Sequence, residues 1–120
     1  MTESLDEIMA DKLVSLVSCQ RYVRHRDIWD LRWLKQHGAS INAEYILAKI
    51  NDYKINDYCK KLDNTLNKLD TIIHGKPFRD EMSRFIPMDV QERTLQKQKF
   101  LDVLANEDSL LLQQVKKIIS

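Results

Sequence analysis

Two glycines and two prolines in 120 residues leave this chain few ways to turn tightly. Average usage would supply about 8 glycines and 6 prolines. A β-rich fold needs a turn every few residues, and its hairpins need positions that accept positive φ. A glycine-rich phosphate loop needs several glycines within one short segment. Gly38 and Gly75 alone satisfy neither. Helices close their hydrogen bonds within one segment and suffer least from such a shortage.

Apolar spacing supports helices along the whole chain. Ser4 and Glu7 form an S-x-x-E capping box ahead of Leu5, Ile8, Met9, Leu13, Leu16 and Val17, which predicts a helix over residues 5–21. A second helix is expected from residue 26 or 27 to Gly38, a C-terminal stop signal. Asn42 suits the start of a third, which carries Tyr45, Ile46, Ala48, Ile50 and Tyr53. Ile50-Asn51-Asp52-Tyr53 is echoed by Ile55-Asn56-Asp57-Tyr58. That spacing is too short for a repeat architecture and reads as a junction or bend. Tyr58, Leu62, Leu66, Leu69 and Ile73 define a fourth face, ended by Gly75 and Pro77. A short helix is expected around residues 78–85, before Pro87. Residues 89–119 read as two helices interrupted at Asn106-Glu107-Asp108. The expected fold is an all-α, single-domain bundle over residues 1–120 with about six or seven helices.

Charge and cysteine use exclude several function classes. The 19 Lys/Arg and 18 Asp/Glu nearly cancel, which argues against a dedicated nucleic-acid or membrane-surface binder. No apolar run approaches the ~18 residues of a membrane span, and the opening MTESLDEIMADK is acidic where a signal peptide is basic. A cytoplasmic protein without a membrane partner is the expectation. Cys19 and Cys59 lack metal-ligand spacing and form no zinc pattern with His25, His37 and His74, so no metal is expected. Both cysteines read as packing groups in a reducing compartment.

Two charges stand out on helical wheels. With Leu5 at 0°, Met9 falls at about 40°, Leu16 at about 20°, Ile8 at about 300° and Lys12 at about 340°, inside the apolar stripe. With Asp27 at 0° on the next helix, Leu31 lies at about 40° and Leu34 at about 340°, with Asp30 beside them at about 300°. A charge on a buried face needs a counter-charge or a wet cleft. Lys12 paired with Asp27 or Asp30 across two antiparallel helices satisfies this. So does a cleft in which Lys12 and Asp27 meet a ligand phosphate or a metal. Trp29 and Trp33 occupy a second side of the same helix, either within the core or as an aromatic face for a partner. Residues 21–37 hold Arg21, Arg24, Arg26, Arg32 and Lys35 against Asp27 and Asp30. With Tyr22 and the tryptophans interleaved, this run suits phosphate or an RNA strand. It equally suits a solvated loop that offsets Glu3, Asp6, Glu7 and Asp11.

The same two segments carry a resemblance. Glu7-Ile8-Met9-Ala10-Asp11-Lys12-Leu13-Val14-Ser15-Leu16, followed by Arg26-Asp27-Ile28-Trp29-Asp30-Leu31 and Trp33-Leu34, resembles the second half of the AbiEii/AbiGii-type nucleotidyltransferase toxins. There, an E-I-x-A-D-K-L-x-A-L helix precedes an R-D-x-x-D-L helix. The likeness is sharp over residues 5–34 and general beyond. It implies a mixed-sheet nucleotidyltransferase core joined to a helical C-terminal region. That core carries a Gly-Ser motif and an Asp-x-Asp pair that binds Mg²⁺ and positions a nucleoside triphosphate. By resemblance, Lys12 corresponds to the lysine near the triphosphate and Asp27 to the aspartate of the R-D motif. Asp30 and Arg26 correspond to supporting groups.

This sequence departs from the pattern at the chemistry itself: neither glycine precedes a serine, and no Asp-x-Asp occurs. The expectation is a truncated relative, a remnant or half of a split protein that transfers no nucleotide unaided. Lys12 and Asp27 are then vestigial catalytic residues. Lys12, Arg26, Asp27 and Asp30 are binding candidates, and Trp29 and Trp33 interface candidates. No cofactor of its own is expected, although the family would use Mg²⁺ and a nucleoside triphosphate with the missing core. The expected role is binding within a phage-defence or toxin–antitoxin system, with a second copy (a homodimer), a separate catalytic domain or RNA as partner. A competing reading is a metal-independent ribonuclease of the HEPN kind, because Arg32 and His37 fit its R-x₄-H spacing, His37 as acid/base and Arg32 on phosphate. Against it, Trp33 stands where that family usually carries a small polar residue. His37 is also accounted for as a cation at a helix C-terminus. A DNA-reading helix over residues 26–37 would retain too few polar positions.

Overall fold

The computed structural model describes residues 4–19 and 21–119. Glu3, counted above among the acidic groups near the first helix, lies outside the described residues. Along those residues the chain forms seven helices and no strand: α1 (Leu5–Ser18), α2 (His25–Gln36), α3 (Ala43–Asp52), α4 (Tyr58–Ile73), α5 (Lys76–Ser83), α6 (Met88–Arg93) and α7 (Gln98–Ile119).

α1 begins where the capping box puts it, with Ser4 Oγ accepting from the Glu7 N–H at 3.2 Å. It stops at Ser18, earlier than expected, because Cys19 adopts extended backbone at φ −74° and ψ 113°. Its buried residues are Met9, Ala10, Leu13, Val14, Leu16 and Val17. In the wheel frame above they span about 20° to 180°. The arc is this wide because α2, α3 and α4 all pack against α1.

α2 ends in a Schellman motif. The Ala39 N–H donates to the Leu34 carbonyl at 3.0 Å and the Gly38 N–H to the Lys35 carbonyl at 3.2 Å, with Gly38 at φ +94°. α3 is capped as expected, Asn42 Oδ1 accepting from the Tyr45 N–H at 3.1 Å. The echoed tetrapeptide is indeed a junction. The Ile55 N–H donates to the Ile50 carbonyl and the Lys54 N–H to the Asn51 carbonyl, both at 3.1 Å, around Lys54 at φ +53°. This repeats the α2 terminus with lysine in the glycine position. Asp57, at φ +55°, then leads into α4.

The second half departs from expectation in three places. Gly75, at φ −85°, is the residue before α5, and Pro77 lies in the first turn of α5, so the pair opens that helix as well as closing α4. A six-residue helix, α6, follows Pro87. α7 runs unbroken through Asn106-Glu107-Asp108, and the interruption falls at residues 94–97. Leu101, Leu104, Ala105, Asp108, Leu111, Leu112 and Val115 form one buried stripe at helical spacing, and α7 lies along α4, α2 and α3. Packing along that stripe outweighs the weak helix preference of Asn and Asp. Both cysteines are free; Cys19 is half-buried, but Cys59 is exposed on α4 and is not the packing group expected.

Candidate binding site

The two misplaced charges meet. Lys12 Nζ lies 3.2 Å from Asp27 Oδ1 and 3.2 Å from Asp30 Oδ2. The other Asp27 oxygen accepts from Arg24 Nε at 2.5 Å. Asp27 is therefore a buried carboxylate held between an ammonium from α1 and a guanidinium from the residue just before α2. Each of its oxygens has a charge-assisted partner, which offsets the cost of taking it out of water. Its place in the first turn of α2 adds the favourable end of the helix dipole. Burial works to lower the Lys12 pKa, but the charges and hydrogen bonds of Asp27 and Asp30 outweigh it and raise the pKa above its ordinary value. The hydrogen bond to Asp27 likewise raises that of Arg24.

Lys12 does not sit in mid-stripe, as the wheel suggested. The core side of α1 is centred on Leu13 and Val17, which leaves the half-buried Ile8 and Lys12 and the exposed Leu5 along its edge. That edge faces Trp29, Asp30, Trp33 and Leu34 of α2 across an open trough of about 390 Å³. Trp33 is 49% exposed there, whereas Trp29 is partly buried with its ring 5.6 Å from that of Phe100. One tryptophan is thus a surface group, and the other joins surface to core. The Lys12–Asp30 pair gives the trough a polar, locally neutral edge.

Of the remaining candidates, Arg26 is not drawn into this cluster. Its guanidinium lies over the Phe85 ring, 4.6 Å from the centroid. Arg24 takes the place expected of Arg26, and its i,i+3 spacing to Asp27 was the available sequence signal. Arg32 Nε pairs with Glu107 Oε2 at 3.1 Å, with the guanidinium over Phe100. His37 stacks on Trp33, ring centroids 3.9 Å apart, and its Nδ1 is 2.8 Å from the Trp33 carbonyl oxygen. Arg32 is thus held toward α7 and His37 back along α2.

Asp108 was missed altogether as a notable group. It is fully buried, and neither carboxylate oxygen has a hydrogen-bond partner among the described residues. Burial raises its pKa well above the ordinary value, Glu107 raises it further, and Arg32 and Lys35 pull the other way. The available signal was its position on the stripe of Leu101, Leu104, Leu111 and Val115.

Asp27 and Asp30 do not fit the metal that a cleft at Lys12 and Asp27 was expected to meet. Both Asp27 oxygens and one of Asp30 already face cationic nitrogens, which would repel a divalent ion. Among the described residues no group of three or more His, Cys, Asp or Glu is placed to hold a metal, and no helix is long and apolar enough to cross a membrane. A family model described as nucleotidyl transferase AbiEii toxin, type IV toxin–antitoxin system, matches residues 1–106. No curated protein and no solved structure matches the chain.

Proposed function

The chain belongs to the AbiEii family of nucleotidyltransferase toxins, and from that premise we propose that it is a helical binding module of a toxin–antitoxin system that transfers no nucleotide by itself. The observation that carries this reading is the Lys12–Asp27–Asp30 cluster beside the tryptophan trough. Its carboxylates are neutralised from within by Lys12 and Arg24, so they lock α1 against α2 and have no free oxygen pair for a metal. Locking the two helices holds Leu5, Ile8 and Trp33 in one apolar trough with a polar edge. A half-exposed tryptophan in such a trough is the kind of group on which protein interfaces concentrate their binding energy. A second copy of the chain is the proposed occupant, and a separate nucleotidyltransferase core the alternative.

Light scattering on the purified chain and its Trp33→Asp variant tests the docking face. The expected result is a dimer that Trp33→Asp converts to a monomer. A monomer whose Trp33 binds an apolar dye would assign the trough to a separate core. A monomer in which Trp33→Asp changes neither mass nor dye binding would remove the docking reading. Nucleotide transfer is assayed separately with labelled nucleoside triphosphate, Mg²⁺ and RNA. Transfer by the chain alone, lost in Lys12→Met, would overturn the claim of a non-catalytic module. RNA cleavage in EDTA that disappears in His37→Ala would overturn it in favour of the metal-independent ribonuclease.

A further inference from the structure

The basic run at residues 21–37 does not act as one strip, because most of its cations have partners. Arg24 is hydrogen-bonded to Asp27, Arg32 forms an ion pair with Glu107 without a hydrogen bond from its Nε, and Arg26 lies over Phe85. Arg21 stands apart from these, in the connector between α1 and α2. It lines a cleft of about 310 Å³ together with Tyr22 and with Lys61, Asn64, Thr65 and Lys68 of α4, and no Asp or Glu contributes to the lining.

The geometry of α4 explains that one-sided charge. With Lys61 at 0°, Asn64 falls at about 300°, Thr65 at about 40° and Lys68 at about 340°, a single stripe. The two acidic residues of α4, Asp63 and Asp70, fall at about 200° and 180°, on the opposite face. Both are engaged there: Asp63 Oδ1 is 2.7 Å from Lys116 Nζ, and Asp70 Oδ1 is 3.3 Å from His74 Nδ1. Among the described residues no Asp or Glu pairs with the cations on the cleft side, in a chain whose net charge is only +1. A multivalent anion in the cleft would face Arg21, Lys61 and Lys68 together. The Asn64 amide can add a neutral donor, whereas the Thr65 hydroxyl already donates to the Lys61 carbonyl at 3.0 Å.

We propose that Arg21, Lys61 and Lys68 form a phosphate-binding cleft, separate from the Lys12–Asp27 cluster and independent of the docking trough. Its ligand carries adjoining phosphate groups. A guanidinium opposite two ammonium groups suits such a ligand, with Arg able to grip two phosphate oxygens and each Lys acting as a point charge. Tyr22 borders the cleft with 62% of its surface exposed, and offers a ring face to a base attached to those phosphates. A free polyphosphate would use the cations alone; a nucleic-acid strand would use the cations and Tyr22.

The test is a titration of the isotopically labelled chain, at low salt, with sodium tripolyphosphate and with a short oligouridylate. Saturable shifts are expected at the backbone amides of residues 21–23 and 61–68. Lys61→Gln combined with Lys68→Gln should weaken binding about tenfold or more, and for the oligonucleotide should reduce the slope of log K against log salt by about 1.4. Arg21→Gln, on a different element, should weaken binding of the same probe. Lys116→Gln with Lys117→Gln removes equal charge from α7 and should leave affinity within about twofold. Tyr22→Ala separates the sources: loss for the oligonucleotide alone identifies a nucleic-acid strand, and no loss for either probe identifies free polyphosphate. The proposal is overturned if neither probe shifts those amides, or if the α7 variant weakens binding as much as the α4 variant.

Discussion

Asp27 and Asp108 are both buried carboxylates, but only one of them is bonded. Asp27 has a cation on each oxygen, so neutralising it leaves Lys12 and Arg24 facing each other without their shared anion. Asp27→Asn is expected to lower stability by about 3 kcal/mol in urea denaturation. Lys12→Met leaves Asp27 its bond to Arg24 and is expected to cost about 1 kcal/mol. Equal losses would mean that Arg24 contributes nothing to holding Asp27. Asp108 behaves oppositely. Its folded pKa is raised above the ordinary 3.8, so the folded chain retains a proton that the unfolded chain has released. Stability therefore falls as pH rises from about 4 toward the folded value. Asp108→Asn should remove that part of the pH profile and raise stability at pH 7. An unchanged profile would show that the carboxyl is not the group titrating.

At the scale of elements, two helix ends use the same motif with different residues. Gly38 and Lys54 both occupy the left-handed position after a helix, at φ +94° and +53°. A Cβ at Gly38 would meet nothing within 4 Å, so its only penalty is the backbone conformation. Gly38→Ala is expected to cost about 1 kcal/mol and Lys54→Gly to gain about 0.5–1 kcal/mol, read as opposite shifts of the urea midpoint. The same sign for both would mean that side-chain contacts, not backbone strain, decide these ends. Helix starts were legible where a side chain does the capping: Ser4 and Asn42 each accept the backbone bond that their sequence position foretold. α7 was not legible, because Asn106, Glu107 and Asp108 have the local preferences of a helix end. Only the stripe of apolar residues on either side, pressed against α4 and α2, keeps them helical.

Across the whole molecule, α1 is the common neighbour of α2, α3 and α4, and α7 closes the bundle against α4. His74, at the end of α4, joins those two elements: its Nδ1 is 2.9 Å from the Asp70 carbonyl oxygen and its Nε2 is 2.7 Å from Asp102 Oδ1. The backbone bond to Asp70 raises the His74 pKa, burial opposes it, and the hydrogen bond to Asp102 and the charges of both carboxylates add to the rise, which prevails. Gln98 reaches the same Asp102 oxygen from the next turn of α7. A raised histidine contributes stability that is complete below its unfolded value of about 6.5 and is lost as pH rises through the folded value. Asp108 acts in the same direction from a lower starting point. The thermal midpoint should therefore fall between pH 5 and pH 8. His74→Gln should remove the part of that decline that sets in from about pH 6.5 and Asp108→Asn the part that sets in from about pH 4; a midpoint that climbs over this range would contradict both assignments.

The sequence by itself determined the all-α class and the capped starts of α1 and α3, and marked Lys12 and the aspartates of α2 as charges that need a partner or a wet cleft. Each of these rests on spacing within one or two adjacent segments, where residue chemistry and helical geometry act locally. The family, too, was written in short contiguous motifs. Tertiary structure alone decided which face of α1 became core, because three neighbours widened a buried arc that one helix cannot announce. It also decided that Arg24 rather than Arg26 completes the Asp27 cluster, that Asp108 is buried inside a continuous helix, and that Arg21 lines one cleft with Lys61 and Lys68. Apart from the local Arg24–Asp27 bond, these arrangements join segments far apart in the chain, and their energies depend on neighbours that no local pattern specifies.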